Sequence, residues 1–179
     1  TFISENGFRE ERSWKQLNLN IASIVYFLKD IKIFKGDRIA AYMPNCIETV
    51  EAFIATSSIG GIWSSCSPDF GINGVIERFA QIKPKVLFIT DQYFYNGKQI
   101  KIIKRLPKIL KLIPSIKNIV IVNYPGKKFI NYNQKFKLRK IFKWTKCISK
   151  KINGVKFEKF DFEKELAILY SSGTTGKPK

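Results

Sequence analysis

A chain of 179 residues is long enough to bury one good core, so a single domain is its default organisation. Its formal charge of +18 invites a nucleic-acid or acidic-membrane reading, yet only six of its 32 basic residues are arginine. Base readout and bidentate phosphate recognition favour arginine, so the lysine excess, which comes with abundant isoleucine and asparagine, reads as compositional bias and argues against a nucleic-acid function.

Three cysteines (Cys46, Cys66, Cys147) are odd in number and widely spaced, with no C-x-x-C, and histidine is absent. They support neither a disulfide framework nor a metal site, and a reducing cytosol is their natural compartment. No uninterrupted apolar run approaches the length of a transmembrane helix, and no signal peptide is visible.

Taken in order, Ser13-Trp14-Lys15-Gln16 has the form of a capping box. Leu17, Ile21, Ile24, Val25 and Leu28 follow at helical spacing to about Asp30. Residues 35–38 read as a turn and 38–43 as a buried strand stopped by Pro44-Asn45. Asn45, with Glu48 three residues on, is placed to cap a second helix running to about Ser58. Residues 60–71 are dense in small residues, which suits either the wall of a cavity or a short strand and turn between helices. A helix with Val75, Ile76, Phe79 and Ile82 on one face comes next, then a strand over 85–90 and a loop over 91–98. Residues 100–106 read as a helix ended near Pro107, and 118–122 as a further strand. From about 124 to 164 lysines alternate with aromatics (Phe129, Tyr132, Phe136, Phe142, Trp144) without a clear period. That segment reads as a basic, solvated insertion with anchoring aromatics, although such interleaving also occurs in single-strand binders. Residues 166–170 read as a buried strand. Strands alternating with helices predict an α/β fold, a doubly wound, mostly parallel sheet with flanking helices.

That last run leads into the most informative stretch, Ser171-Ser172-Gly173-Thr174-Thr175-Gly176-Lys177-Pro178-Lys179. Two glycines free the backbone to bring its N–H groups close to a ligand, and successive N–H groups form an anion site. Four hydroxyls add donors, and Lys177 adds a point charge suited to phosphate. A Walker A loop needs four residues between its glycine and its Gly-Lys pair, then Ser or Thr. Here two residues intervene and Pro178 follows the lysine, so the Walker reading fails. In such sheets ligands bind beyond the carboxyl ends of strands, where this loop would sit.

Residue for residue, the stretch resembles the phosphate-loop signature of the adenylate-forming enzymes, which include the acyl-CoA synthetases. The resemblance extends to residues 36–45, to 61–71 (Gly-Ile-Trp-Ser-Ser-Cys-Ser-Pro-Asp-Phe-Gly), to 77–87 and to 93–98. The Trp-Ser-Ser-Cys-Ser-Pro-Asp-Phe-Gly version looks like the acetoacetate-activating branch. It covers most of residues 13–122 and 165–179, and the basic insertion is poorly matched.

The resemblance implies an AMP-forming acid–CoA ligase acting on ATP, with Mg2+, on CoA and on acetoacetate. By direct match, Ser171, Ser172, Gly173, Thr174, Thr175, Gly176 and Lys177 would hold the β- and γ-phosphates. By position, Pro68 and Asp69 would flank the pantetheine channel, and Tyr95, Asn96, Gly97 and Lys98 would meet the CoA nucleotide; Tyr95 and Lys98 stand where the family often has arginines. Residues 1–179 would then be part of the N-terminal AMP-binding domain, with the adenine contacts, the magnesium-associated acid and the adenylation lysine further along. The partners expected are small-molecule substrates, in a cytoplasmic enzyme without nucleic acid or membrane, and the isolated piece should be inactive. The alternatives are a ligase for another short-chain acid such as acetate or propionate, a lysine-rich nucleic-acid-binding module, and a nucleotide-binding regulatory domain without chemistry.

Overall fold

The computed structural model describes residues 1–5, 7–132, 134 and 136–171. A short antiparallel pair, β1 (Phe2–Ile3) and β2 (Arg9–Glu10), opens the chain. Helix α1 (Trp14–Asp30) starts where the sequence predicts, with the Ser13 hydroxyl accepting the Gln16 N–H at 3.2 Å. The Gln16 side chain does not close the box but donates to Asn20 Oδ1 at 2.8 Å. Strand β3 (Arg38–Tyr42) and helix α2 (Ile47–Ser58) follow. Asn45 does not cap α2, because the helix begins one residue too late for it. Cys46 takes the N-cap position without a side-chain cap bond, and Glu48 turns to Arg12 instead.

Next come β4 (Ile62–Cys66), α3 (Ile72–Ile82) and β5 (Val86–Thr90). The expected loop over 91–98 is largely a hairpin of β6 (Tyr93–Tyr95) and β7 (Lys98–Ile100). Its turn is Asn96-Gly97, both at positive φ (49° and 70°), the conformation a two-residue hairpin turn requires. Pro107 does not end a helix. A 3₁₀ turn at Ile102–Arg105 passes into α4 (Leu106–Leu112), with the proline in the first turn, where its missing N–H is not needed. Strand β8 (Asn118–Val122) lies where expected. The segment read as a solvated insertion contributes β9 (Lys140–Lys143) and the short α5 (Trp144–Cys147), whose Trp144 and Cys147 are buried.

Strands β3, β4, β5, β8 and β9 form one parallel sheet in the order β4-β3-β5-β8-β9. Neighbouring residues on each strand serve opposite cores, as the pleat requires. Ile39 and Ala41, Val86 and Phe88, and Val120 and Val122 pack with α1, α2 and α5. Ala40 and Tyr42, Leu87 and Ile89, and Ile119 and Ile121 pack with α3, the 3₁₀ turn and α4. The sheet is therefore doubly wound with helices on both faces, and its central strands are apolar except at their ends, at Arg38, Thr90 and Asn118. Each fully buried Ile, Leu, Val or Phe contributes about 1.5–3 kcal/mol, so these two cores carry the fold.

The run at 166–170 lies along the outer edge of β4 rather than inside the sheet. Trp63 N–H donates to Leu166 O at 3.0 Å, and Ile168 N–H donates to Trp63 O at 2.8 Å, a parallel pairing. Leu166 and Leu169 stay exposed, so the expectation of a buried strand is corrected to an edge segment.

One buried polar cluster ties the N-terminal arm to α2. Arg12 Nη1 donates to Glu51 Oε1 at 2.8 Å and Nη2 to Glu48 Oε1 at 3.2 Å, while Glu10 pairs with the same guanidinium. Asn20 Nδ2 adds a 2.8 Å bond to Glu51, whose side chain is wholly buried. Burial pushes the Glu51 carboxyl above its usual range, opposed by Arg12 and Asn20. Removing the cation strands buried carboxylates, so Arg12→Ala should lower the unfolding free energy by about 3–5 kcal/mol in urea titrations. Exposed Arg9→Ala, which loses only its pair with Glu11, should change it by less than about 1 kcal/mol.

Candidate functional site

The site grows from the carboxyl end of β4. The buried Ser64 hydroxyl needs a partner and finds Ile168 O at 2.9 Å, so the run that leads into residue 171 rests on β4 of the 61–71 stretch. Of the expected phosphate-binding residues, Ser171 is exposed at the end of this run. Ser172, Gly173, Thr174, Thr175, Gly176 and Lys177 lie outside the described residues.

After β4 the chain turns through residues 67–70, and four side chains fix that turn. Arg105, at the end of the 3₁₀ segment, donates to Pro68 O at 3.3 Å and Phe70 O at 3.0 Å, and also to the Tyr42 hydroxyl. Tyr42 in turn donates to Phe70 O at 2.7 Å, and burial raises its pKa, so it keeps the proton that this bond needs. Ser67 Oγ donates to Asp69 Oδ2 at 2.8 Å. Tyr93 OH donates to Asp69 Oδ1 at 2.7 Å, and its pKa is raised by burial and by the Asp69 charge.

The last bond brings together the two segments expected to meet CoA, the turn with Pro68 and Asp69 and the hairpin with Tyr95, Asn96, Gly97 and Lys98. Pro68 is buried with its carbonyl occupied, so it shapes the turn, whereas Asp69, Tyr95 and Lys98 are exposed. The amides of Asn96 and Gly97, successive N–H groups of a positive-φ turn, are taken by the Glu5 carboxylate at 2.6 and 3.3 Å. A carboxylate on this pair marks it as an anion-accepting turn. Cys66 is buried and its thiol is pushed up to about 11, which leaves it inert. Among the described residues no group of three His, Cys, Asp or Glu could hold a metal ion. Cavities of about 560 and 580 Å3 lie elsewhere, against β8 and β9, with Ile121, Phe129 and Lys143 in both walls.

A family model described as "AMP-binding enzyme" matches residues 2–179. The chain belongs to the AMP-binding enzyme family. It is 38% identical over 178 residues to acetoacetyl-CoA synthetase of Xenopus tropicalis, covering 95% of this chain and 26% of that protein. Acetoacetyl-coenzyme A synthetase of Rhizobium meliloti is 37% identical over 183 residues, covering 99% of this chain and 27% of that protein. Among solved structures, acetoacetyl-CoA synthetase from Streptomyces lividans superposes with a TM-score of 0.81 at 32% identity, over 93% of this chain and 24% of that one. The chain thus spans about a quarter of the length of the relatives it matches.

Within this family member, Tyr42, Arg78 and Tyr93 lie inside the resembling stretches 36–45, 77–87 and 93–98 but carry no assigned role there, and Arg105 lies outside them. The signal available for two of them is arginine scarcity. In a chain that otherwise uses lysine, Arg78 and Arg105 both stand against the 67–70 turn, where a planar fork reaches carbonyls and ring faces that an ammonium serves poorly. If Tyr93 latches hairpin to turn, Tyr93→Phe should speed hydrogen exchange at the Asp69 and Phe70 amides by about three- to tenfold, the loss of one hydrogen bond. Exchange in β3 and β5 should stay unchanged.

Proposed function

We propose that the protein carrying this chain is an AMP-forming acetoacetate–CoA ligase. The observation that carries the reading is the pairing of residues 166–168, the run that leads into Ser171, with β4 of the 63–71 stretch, in a chain whose similar proteins are acetoacetyl-CoA synthetases. In this reading a carboxylate oxygen attacks the α-phosphate of ATP, the bond to pyrophosphate breaks, and an acyl-adenylate forms. The CoA thiol then attacks the acyl carbon, the bond to AMP breaks, and the thioester leaves. Ser171 to Lys177 hold the β- and γ-phosphates, orienting the α-phosphate and stabilising charge on the departing pyrophosphate. The 67–70 turn borders the pantetheine path, and the hairpin carrying Tyr95 and Lys98 meets the CoA nucleotide. When bound with the nucleotide, Mg2+ would offset the charge of the phosphates that Ser171 to Lys177 hold.

This reading makes the protein an enzyme of a reducing, cytosolic compartment, consistent with three buried free thiols. Among the described residues no helix is long and apolar enough to cross a membrane. Because the chain spans about a quarter of its relatives' length, the 179-residue piece by itself should form no thioester.

The test is an assay of the intact gene product with ATP, CoA and either acetoacetate or acetate. AMP and thioester should appear with acetoacetate at a kcat/KM at least about tenfold above that with acetate, and Lys177→Ala should lower it by about a hundredfold or more. Preference for acetate would move the protein to another short-acid ligase, and no acid-dependent AMP release would overturn the ligase reading altogether.

A further inference from the structure

Arg78, near the middle of α3, bridges the two halves of the site. Its guanidinium carbon lies 4.3 Å from the Phe70 ring centroid and 5.8 Å from the Tyr170 ring centroid. Phe70 belongs to the turn that carries Pro68 and Asp69, and Tyr170 is the residue immediately before Ser171. The tie is reinforced through the backbone: the Tyr170 hydroxyl donates to Arg78 O at 2.6 Å. Arg78 Nη1 is steadied by Gly74 O at 3.0 Å. Gly74 leaves room for the arrangement, since a Cβ there would stand 3.3 Å from Arg78 Nη1 and 3.5 Å from Phe70 Cδ1. A planar cation within cation–π range of two rings on separate segments restrains both, and a lysine ammonium serves two ring faces at once poorly.

We infer that Arg78 is a positioning residue that fixes the base of the phosphate loop against the 67–70 turn, so that the nucleotide half and the thiol half of the site hold one register. The inference rests on the ligase reading for its catalytic consequence, and on geometry alone for its mechanical one. A loose register misplaces the acyl-adenylate relative to the incoming thiol, and misplacement by about 1 Å can cost about a hundredfold in rate. Loss of Arg78 should therefore depress both half-reactions.

The experiment uses the intact gene product and three variants, Arg78→Met, Arg78→Lys and the milder Tyr170→Phe, which keeps the ring and loses the hydroxyl that bonds Arg78 O. Two readouts are taken, hydrogen exchange and the separate rates of acid-dependent ATP–pyrophosphate exchange and of thioester formation. Arg78→Met should raise exchange together at the Phe70 and Tyr170 amides and lower kcat in both half-reactions by about ten- to a hundredfold, with KM for ATP nearly unchanged. Arg78→Lys should recover part of the rate, and Tyr170→Phe should raise exchange at the Tyr170 amide with a rate loss of a few fold. Coupled exchange changes in a protein that forms no thioester would retain the positioning role and overturn the ligase reading. Unchanged exchange at both amides, or a loss confined to one half-reaction, would overturn the inference while leaving the ligase reading intact. If Arg78→Met does not fold, Arg78→Lys, which keeps the charge and loses the planar face, decides by the same two readouts.

Discussion

The parallel pairing of residues 166–168 with the edge of β4 is the constraint on which the candidate site depends. Two backbone hydrogen bonds and the Ser64–Ile168 bond set it, and Ser64 is wholly buried, so breaking the pairing leaves a hydroxyl without its partner. To reach this edge the chain leaves β9 on the opposite side of the sheet and crosses the face covered by α1 and α2. On the way Ser23 Oγ donates to Lys150 O, Lys150 covers the Tyr26 ring, Ile148 and Val155 pack on the core, exposed Lys29 and Glu158 pair, and Glu158 N–H donates to Ser58 O. Exposed pairs of this kind contribute about 0–1 kcal/mol each.

Arginine geometry supplies the second layer of order. Arg38 donates to Ile82 O and Gly36 O, Arg139 to Ile116 O and Leu110 O, and Arg105 to the carbonyls of the 67–70 turn. Arg12 gathers three carboxylates, and Arg78 lies between two rings. Each takes more than one acceptor or face at once, which is what a rigid fork does and a flexible ammonium does not. The lysines, by contrast, are mostly at the surface.

Most of the sheet was readable because parallel strands covered on both faces are continuous apolar runs, as in Val-Leu-Phe-Ile-Thr and Asn-Ile-Val-Ile-Val. The motif stretches were readable because their chemistry is contiguous. What the sequence hid is non-local or ambiguous in sign. Strand β9 is Lys-Ile-Phe-Lys, in which Ile141 serves one core and Phe142 the other, so no alternation marks it. Pro107 can end a helix or begin one, and only the position of Leu106 against the core decides. Asn96-Gly97 carried a hairpin signal that a loop assignment passes over. The Tyr93–Asp69 and Arg78–Tyr170 contacts join residues 24 and 92 positions apart, and no local pattern announces them.

The most direct test of the account is a crystal structure of the intact protein with a non-hydrolysable ATP analogue and CoA bound. The account predicts the triphosphate on residues 171–177 and the pantetheine arm passing the 67–70 turn, with Arg78 still between Phe70 and Tyr170. A nucleotide bound away from the β4 edge, for instance in the cavities against β8 and β9, would contradict it.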